Sequence, residues 1–508
     1  MEESLAVKNE NNGGWSPKTG FGRFLDRYFH ISERGSNIIR ELVGGLVIFL
    51  AMFYILPLNS NMLTTSWVGG ATPSNVRVEN GIQQILLYGD KWAAVDQVHA
   101  AVFAATAISA AVTTIVMGIY GKLPVGLASG LGLNSLVAYT VMQKMGLNFA
   151  QSMAIVLVDG ILFLIISITP LRAWVVRSIP KSLKFAISAG IGFFIAFIGF
   201  QNIGIIVPTD GTIVGFGDFT SPAVLTGMAG IVLVLVLSSL PQNKKWGFWV
   251  SKFAVIISIV VMAIICASMG SAGVKGMPTF YNESHDIANV GNFGKIFGAA
   301  VFGFDAFLNP TAIAVTFALL FVDFFDTTGT LVGVEAGAGM VDEQGRITVD
   351  DRPAMITDAI GTCFGAICGT TTVTSFVEST TGVAAGARTG LAAVTTGLLF
   401  ALSLAIYPGL AMFSSSSVTG LALVYVGVCM FKNLEKLEWH DWIAVGSGFF
   451  TVLVMTISYS ISDGIAFGFI TYTIMTLAAG KFKKSDITVA CCSLAFIAIY
   501  ITKALVIK

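Results

Sequence analysis

Two aspartates stand inside an apolar, helix-length run between Asn309 and Val334, NPTAIAVTFALLFVDFFDTTGTLVGV, near its middle, where a membrane span would be deepest in hydrocarbon. A carboxylate at that depth costs about 2.5–3.5 kcal/mol on insertion scales, so such residues face a cavity and mark an ion or substrate path. Asp323 and Asp326 are three residues apart and share one helix face. Two other polar residues sit in stretches that read as broken helices. Asn134 lies in LPVGLASGLGLNSLVAYTV, where Pro124 and the neighbouring glycines interrupt the front half; Glu378 lies in CGTTTVTSFVESTTGVAAGARTG, where a Thr- and Val-rich run leads into a small-residue helix. Each predicts an extended strand followed by a half-helix, with Asn134 and Glu378 near the half-helix starts, where unpaired N–H groups and the positive dipole end gather. Glu378 then reads as an anionic acceptor for a substrate's N–H groups. Asp323 and Asp326 lack that support, and one of them is the better candidate for exchanging a proton during transport.

The surrounding chain is built for lipid. It is 55% hydrophobic and 11% charged, with mean hydropathy +0.81, against about 25% charged in soluble domains. Its formal net charge is zero, which gives nucleic acid no purchase. The 55 glycines among 508 residues suit close helix packing. The six cysteines fall in apolar stretches without a CxxC pair, and the four histidines are scattered, so neither a disulfide framework nor a metal site is expected. Residues 1–39 are polar and carry no signal peptide, so the first span is retained.

Apolar runs predict spans near 41–58, 97–119, 122–142, 150–170, 183–206, 223–240 and 248–269, then near 309–334, 354–370, 371–387, 389–412, 416–431, 441–458 and 462–480. Seven and seven indicate a duplication, and an odd number per half inverts the second copy, with a binding site at the midplane between repeats. The interrupted stretches are the third and tenth segments. The fold class is therefore an all-α polytopic membrane protein of 14 segments in two inverted 7-segment repeats. Basic residues before span one (Arg23, Arg27, Arg34, Arg40), between four and five (Arg172, Arg177, Lys181, Lys184), between six and seven (Lys244, Lys245) and after fourteen (Lys481, Lys483, Lys484) place the amino terminus and 481–484 in the cytoplasm. Residues 487–505 are apolar enough for a fifteenth span, but they follow a basic run, which favours a helix lying along or packed near the membrane surface.

Structural roles compete with functional ones. Asp326, followed by Thr327 and Thr328, also fits a carboxylate satisfied by hydroxyls; Asn134 also fits a half-helix cap; Asp463 in SYSISDGIAFG fits either an N-cap or a coupling residue. Asp159 reads as a packing or relay residue, and Arg388 as orienting the protein or satisfying carbonyls rather than touching substrate. The GFGD at Gly215 to Asp218 matches an intramembrane aspartyl protease pattern but lies in a polar loop without a Tyr-Asp partner, and no GxxxxGK[ST] is present for an ATP-driven pump.

FVDFFDTTGTLVGV, CGTTTVTSFVESTTGVAAGARTGL, GLGLNSLVAYT and IPKSLKFAISAGIGFFIAFIG resemble, jointly and over residues 35–480, the AzgA-like branch of nucleobase/cation symporter-2 permeases, which carry hypoxanthine, guanine and adenine. The resemblance implies a core domain (40–170 and 297–412) moving against a gate domain (181–270 and 415–480) between a 1–39 tail and a 481–508 tail with its apolar helix. It also implies proton symport without an organic cofactor or metal, residence in the plasma membrane, and Asn134, Asp323 and Glu378 shaping the purine site. Asp326 and Asp463 match residues implicated in transport; Ser129, Ser135, Ser379 and Phe376 flank the site. Aromatic faces of Phe324, Phe325 and Phe376 could stack on a base. Where the family has a VNP-like ending, this chain has ILPLNS, keeping Asn59 and displacing the proline to Pro57. The residues leave adenine against guanine and hypoxanthine, sodium against protons, and the oligomeric state open, a homodimer being one candidate assembly. An anion carrier of the same architecture is the rival within transport.

Overall fold

Charge-poor runs must satisfy their backbone internally in lipid, and helices do so within one segment. The computed structural model describes residues 19–70, 75–79, 81–169, 180–209, 214–241, 247, 250–251, 253–280, 291–340, 349–405, 415–458 and 461–506. The basic residues Arg172, Arg177, Lys244 and Lys245 lie outside them. Among the described residues, seven helices are long and apolar enough to cross a membrane.

A short helix α1 (Gly20–Phe29) precedes α2 (Ile38–Met52), whose N-cap Asn37 accepts the Arg40 N–H at 2.9 Å. The first apolar run breaks at Phe53 and Tyr54 before continuing as α3 (Ile55–Gly70). Pro57 explains the break: it has no N–H to return to the carbonyl of Phe53, and its ring crowds that turn. Strands β1 (Val76–Glu79), β2 (Ile82–Tyr88) and β3 (Lys91–Ala94) form an antiparallel sheet in the following connection. Next come α4 (Val95–Val116), β4 (Leu127–Ser129), α5 (Leu131–Ser135, prolonged by a π-helical stretch to Lys144) and α6 (Phe149–Ile168). A capping box of Asn148 and Gln151 starts α6, each bond 2.9 Å. Helix α7 (Lys181–Ile203) leads through the hairpin β5 (Ile206–Pro208) and β6 (Val214–Phe216) to α8 (Pro222–Ser238) and α9 (Ala254–Ser271).

The second half repeats this plan in outline: α10 (Pro310–Gly337), α11 (Arg352–Cys368), β7 (Val373–Ser375), α12 (Ser379–Ala384), α13 (Gly390–Ser403), α14 (Ser416–Phe431), α15 (Trp442–Ile457) and α16 (Ile461–Ala478). Residues 487–506 form α17 (Ile487–Val506), packed on α16. One set of contacts joins α2 and α4 to α13 and α6 to α10 and α11; another joins α7 to α14 and α15, α14 to α8 and α9, and α15 to α16.

Helices α7 and α14 meet backbone to backbone. A Cβ at Gly199 would lie 2.8 Å from the Gly420 carbonyl oxygen, and one at Gly427 would lie 2.5 Å from that of Gly192. The two contacts run antiparallel and symmetrically, as close small-residue crossings in lipid require. Gly427→Leu is expected to destabilise the protein by about 1–3 kcal/mol, the usual cost of overpacking. A lowered unfolding temperature of the detergent-solubilised chain checks it; unchanged melting contradicts the tight crossing.

Candidate functional site

The centre of the molecule is a two-stranded crossing. β4 and β7 pair antiparallel, Leu127 opposite Ser375 and Ser129 opposite Val373, so residues almost 250 positions apart become neighbours. The pairing is extended by Gly130 N–H donating to the Thr372 carbonyl and Phe376 N–H to that of Gly126, both at 3.0 Å. Each strand runs into a short helix, α5 or α12; at α12 the first N–H groups, of Ser379, Thr380 and Thr381, turn back to the carbonyls of Phe376, Val377 and Glu378 at 3.1, 3.0 and 2.9 Å.

Beside the crossing lies a small cavity of about 40 Å³, well below the roughly 300–1,000 Å³ of pockets that enclose a small molecule, so the site is closed down in this structure. Glu378 and Asp326 line it with Gly132 and Phe376; Ile195 of α7 and Met430 of α14 close the opposite wall. Glu378 is the N-cap residue of α12, yet its side chain makes no cap bond. Instead Tyr54 donates its hydroxyl to Glu378 Oε1 at 2.7 Å. The break before Pro57 is what sets Tyr54 there, at the joint between α2 and α3.

Asp323 does not line this cavity. It is fully buried, Thr362 donates to its Oδ2 at 3.0 Å, and its Oδ1 has no hydrogen-bond partner among the described residues. Asp159 of α6 is equally buried, has no hydrogen-bond partner among the described residues at either oxygen, and lies within electrostatic reach of Asp323 and Asp358. A third buried carboxylate, Asp358 of α11, is fully engaged. Thr327 donates to its Oδ1 at 2.9 Å, and Ser375 donates to Oδ2 from its N–H at 2.7 Å and its hydroxyl at 2.5 Å. Asp358 thereby ties α10 to the end of β7.

Asn134 also lies behind the cavity wall. Its side chain accepts from the Thr371 hydroxyl and donates to the Ser129 carbonyl at 3.4 Å. It joins a wholly buried hub in which Asn59 donates to Thr106 and Thr370, each at 2.8 Å, and to Ser129 at 3.3 Å. Ser135 returns its hydroxyl to the Leu131 carbonyl, and Ser379 Oγ accepts the Gly126 N–H, both at 3.0 Å. Of the residues singled out from sequence, the structure gathers Glu378, Asp326 and Phe376 in one cavity. It sets Asn134, Ser129, Ser135, Ser379 and Asp323 in the framework around the crossing, and Asp463 apart, bonded to Tyr500. Phe324 is buried against Phe163 and is not among the residues lining the cavity. Arg388 satisfies the carbonyls of Val383 and Ala387, both at 2.6 Å. Asp218 of the GFGD stretch is exposed, and the hydroxyl and N–H of Thr220 hold its carboxyl below the usual range. It is a turn residue at the start of α8. Tyr54 and Asp358 were not foreseen; the signals for them are an aspartate inside the apolar run of α11 and a tyrosine just before a helix-breaking proline.

A protein-family model described as "Permease family" matches residues 85–462. The chain belongs to this permease family. It is a multi-pass membrane transporter rather than an enzyme. The permease is 31% identical over 483 residues to the adenine permease AdeQ of Escherichia coli strain K12, covering 95% of this chain and 97% of that one. It is 34% identical over 460 residues to the guanine/hypoxanthine permease PbuG of Bacillus subtilis strain 168, covering 91% and 96%. In fold it is similar to the transmembrane domain of a cyanobacterium bicarbonate transporter, BicA (TM-score 0.55, 14% identity, 84% of this chain and 97% of that one). Murine Slc26a9, an anion transporter in the inward-facing state, gives a TM-score of 0.53 at 12% identity, covering 93% and 74%.

Proposed function

We propose that this permease imports purine nucleobases, hypoxanthine, guanine or adenine, by proton symport with alternating access. The observation that carries the reading is the pair of carboxylates, Glu378 and Asp326, in one cavity beside the strand crossing. A purine is planar and uncharged, with ring N–H donors on its edge. Carboxylates accept those donors, and Phe376 and Ile195 offer apolar cover for the ring faces. Names of relatives that match along nearly their whole length, adenine permease and guanine/hypoxanthine permease, support the same substrate class. Asn134 and Asp323 then shape the site from behind, by holding the strand ends, and Glu378 with Asp326 meets the base.

Fourteen membrane segments in two inverted repeats fit the packing. The contacts of α4 with α13 and of α6 with α11 are mates under exchange of the halves, and the α7–α14 crossing maps onto itself. In this reading residues 40–170 and 297–412 form the core domain, 181–270 and 415–480 the gate domain. The cavity lies between them, so movement of one domain past the other opens it alternately to each face. The amino terminus and Lys481–Lys484 lie on the cytoplasmic side of the plasma membrane. Protonation of a buried carboxylate outside and its release inside bias the inward-facing change.

The fold neighbours named as anion transporters raise the rival substrate. Two cavity carboxylates disfavour an anion through like-charge repulsion. Unlabelled purines are expected to suppress uptake of labelled hypoxanthine or adenine while excess sulfate or bicarbonate leaves it unchanged; the reverse pattern overturns the purine reading. Asp326→Asn is expected to raise the KM for the transported base about tenfold, the size of one charge-assisted hydrogen bond, with membrane level unchanged. An unaltered KM removes Asp326 from the site.

A further inference from the structure

Helix α17 runs antiparallel to α16. The Tyr472 hydroxyl reaches Asp486, just before α17, at 3.4 Å, and the adjacent Thr473 shares a hydrogen bond of 2.9 Å with Ser493. Further along, the rings of Phe469 and Phe496 lie 6.4 Å apart and those of Phe467 and Tyr500 6.0 Å apart. At the far end Tyr500 donates its hydroxyl to Asp463 Oδ1 at 2.8 Å. From Ser493 through Phe496 to Tyr500 the partners on α16 run back from Thr473 through Phe469 to Phe467 and Asp463, so the two helices pair antiparallel over this stretch.

A helix resting on the membrane surface needs a charged face toward water. Residues 487–502, ITVACCSLAFIAIYIT, contain no charged residue. Their outward side chains, Leu494, Ile497 and Ile501, are apolar and exposed, while Val489 and Phe496 are buried. The sixteen uncharged residues reach about 24 Å at about 1.5 Å each, short of the roughly 30 Å hydrocarbon layer, and Lys503, just beyond them, can extend its ammonium to the headgroups. Ser493 donates its hydroxyl to the Val489 carbonyl at 2.7 Å and its oxygen meets the Thr473 hydroxyl, as polar side chains between helices in lipid do.

We propose that α17 crosses the membrane as a further helix beside α16, and that Tyr500 is a positioning residue that holds Asp463 for transport. The Val506 end of α17 then lies on the face opposite Lys481–Lys484. The role of Asp463 rests on the transport reading above; the crossing does not. Phe469 also meets Phe321 of α10, at 6.4 Å between ring centres, just before Asp323 and Asp326. The α16–α17 pair is therefore seated against the helix that carries the cavity carboxylate.

Two arms test this. In the first, Lys484→Cys and Lys508→Cys variants of the full chain are treated with a membrane-impermeant maleimide in intact and permeabilised cells, and labelling above the parent chain is counted. The expected result is that one position labels in intact cells and the other only after permeabilisation; labelling of both from the same face overturns the crossing. This arm reads out even if the chain carries no purine. In the second, uptake of labelled hypoxanthine, guanine and adenine is measured against pH for Tyr500→Phe, Asp463→Asn and the double variant. Tyr500→Phe is expected to lower uptake about fivefold, the scale of one hydrogen bond, and to move the pH profile in the same direction as Asp463→Asn, with the double variant no worse than Asp463→Asn. Losses that multiply, or a Tyr500→Phe profile identical to the parent's, overturn the positioning role.

Discussion

Glu378→Gln is expected to lower purine uptake by about 10- to 100-fold while leaving the amount and melting temperature of folded protein unchanged. The carboxylate lines the cavity and takes the Tyr54 hydroxyl on one oxygen only. Glutamine keeps the shape but replaces one acceptor oxygen with a donor amide. A purine N–H then meets a donor instead of an anion. Hydrogen bonds to charged groups contribute about 1.5–3 kcal/mol, and a site built to accept a substrate's N–H loses more when its partner is mismatched than when apolar contact is trimmed. Tyr54→Phe removes the orienting bond alone, with an expected loss of about fivefold. Concentration-dependent uptake in cells lacking other purine carriers, normalised to membrane level, checks both. Full activity of Glu378→Gln removes it from the site.

Asp358→Asn is expected to act the other way, through the fold before the substrate. Asp358 is fully buried and accepts from Thr327 of α10 and twice from Ser375 of β7. An asparagine offers one oxygen: with its NH2 toward Ser375 the buried Ser375 N–H loses its acceptor, and with its NH2 toward Thr327 that hydroxyl must reverse from donor to acceptor and turn its hydrogen to Thr374. Each buried donor left unsatisfied costs about 1–3 kcal/mol. The expected outcome is a sharp fall in the yield and melting temperature of detergent-solubilised protein, with uptake falling in proportion. An Asp358→Asn variant of parental stability contradicts the clamp between α10 and the strand crossing.

The hydropathy pattern made the apolar helices legible, because each run must close its own backbone bonds in lipid. What one helix face cannot reveal is which side of a shared carboxylate pair meets the cavity. Asp323 and Asp326 are neighbours on α10, but packing against α11 sends one to Thr362 and leaves the other beside Glu378. Asp358 carries no local signal of its partners, which lie 17 and 31 residues away. The antiparallel pairing of β4 with β7 joins the two halves of the chain, and no short-range pattern encodes it. Tyr54 became visible only once the consequence of moving the proline to Pro57 could be seen as a break in the helix. The apolar composition of residues 487–505 was plain; the register of α17 on α16 follows from the side-chain pairs between them.

The most direct test is uptake of labelled hypoxanthine, guanine and adenine into liposomes holding the purified permease, with an imposed inward proton gradient and with that gradient collapsed by an uncoupler. The expected result is saturable accumulation of at least one base that disappears when the gradient is removed. Absence of saturable accumulation of any purine contradicts the substrate, and accumulation indifferent to the proton gradient contradicts the coupling.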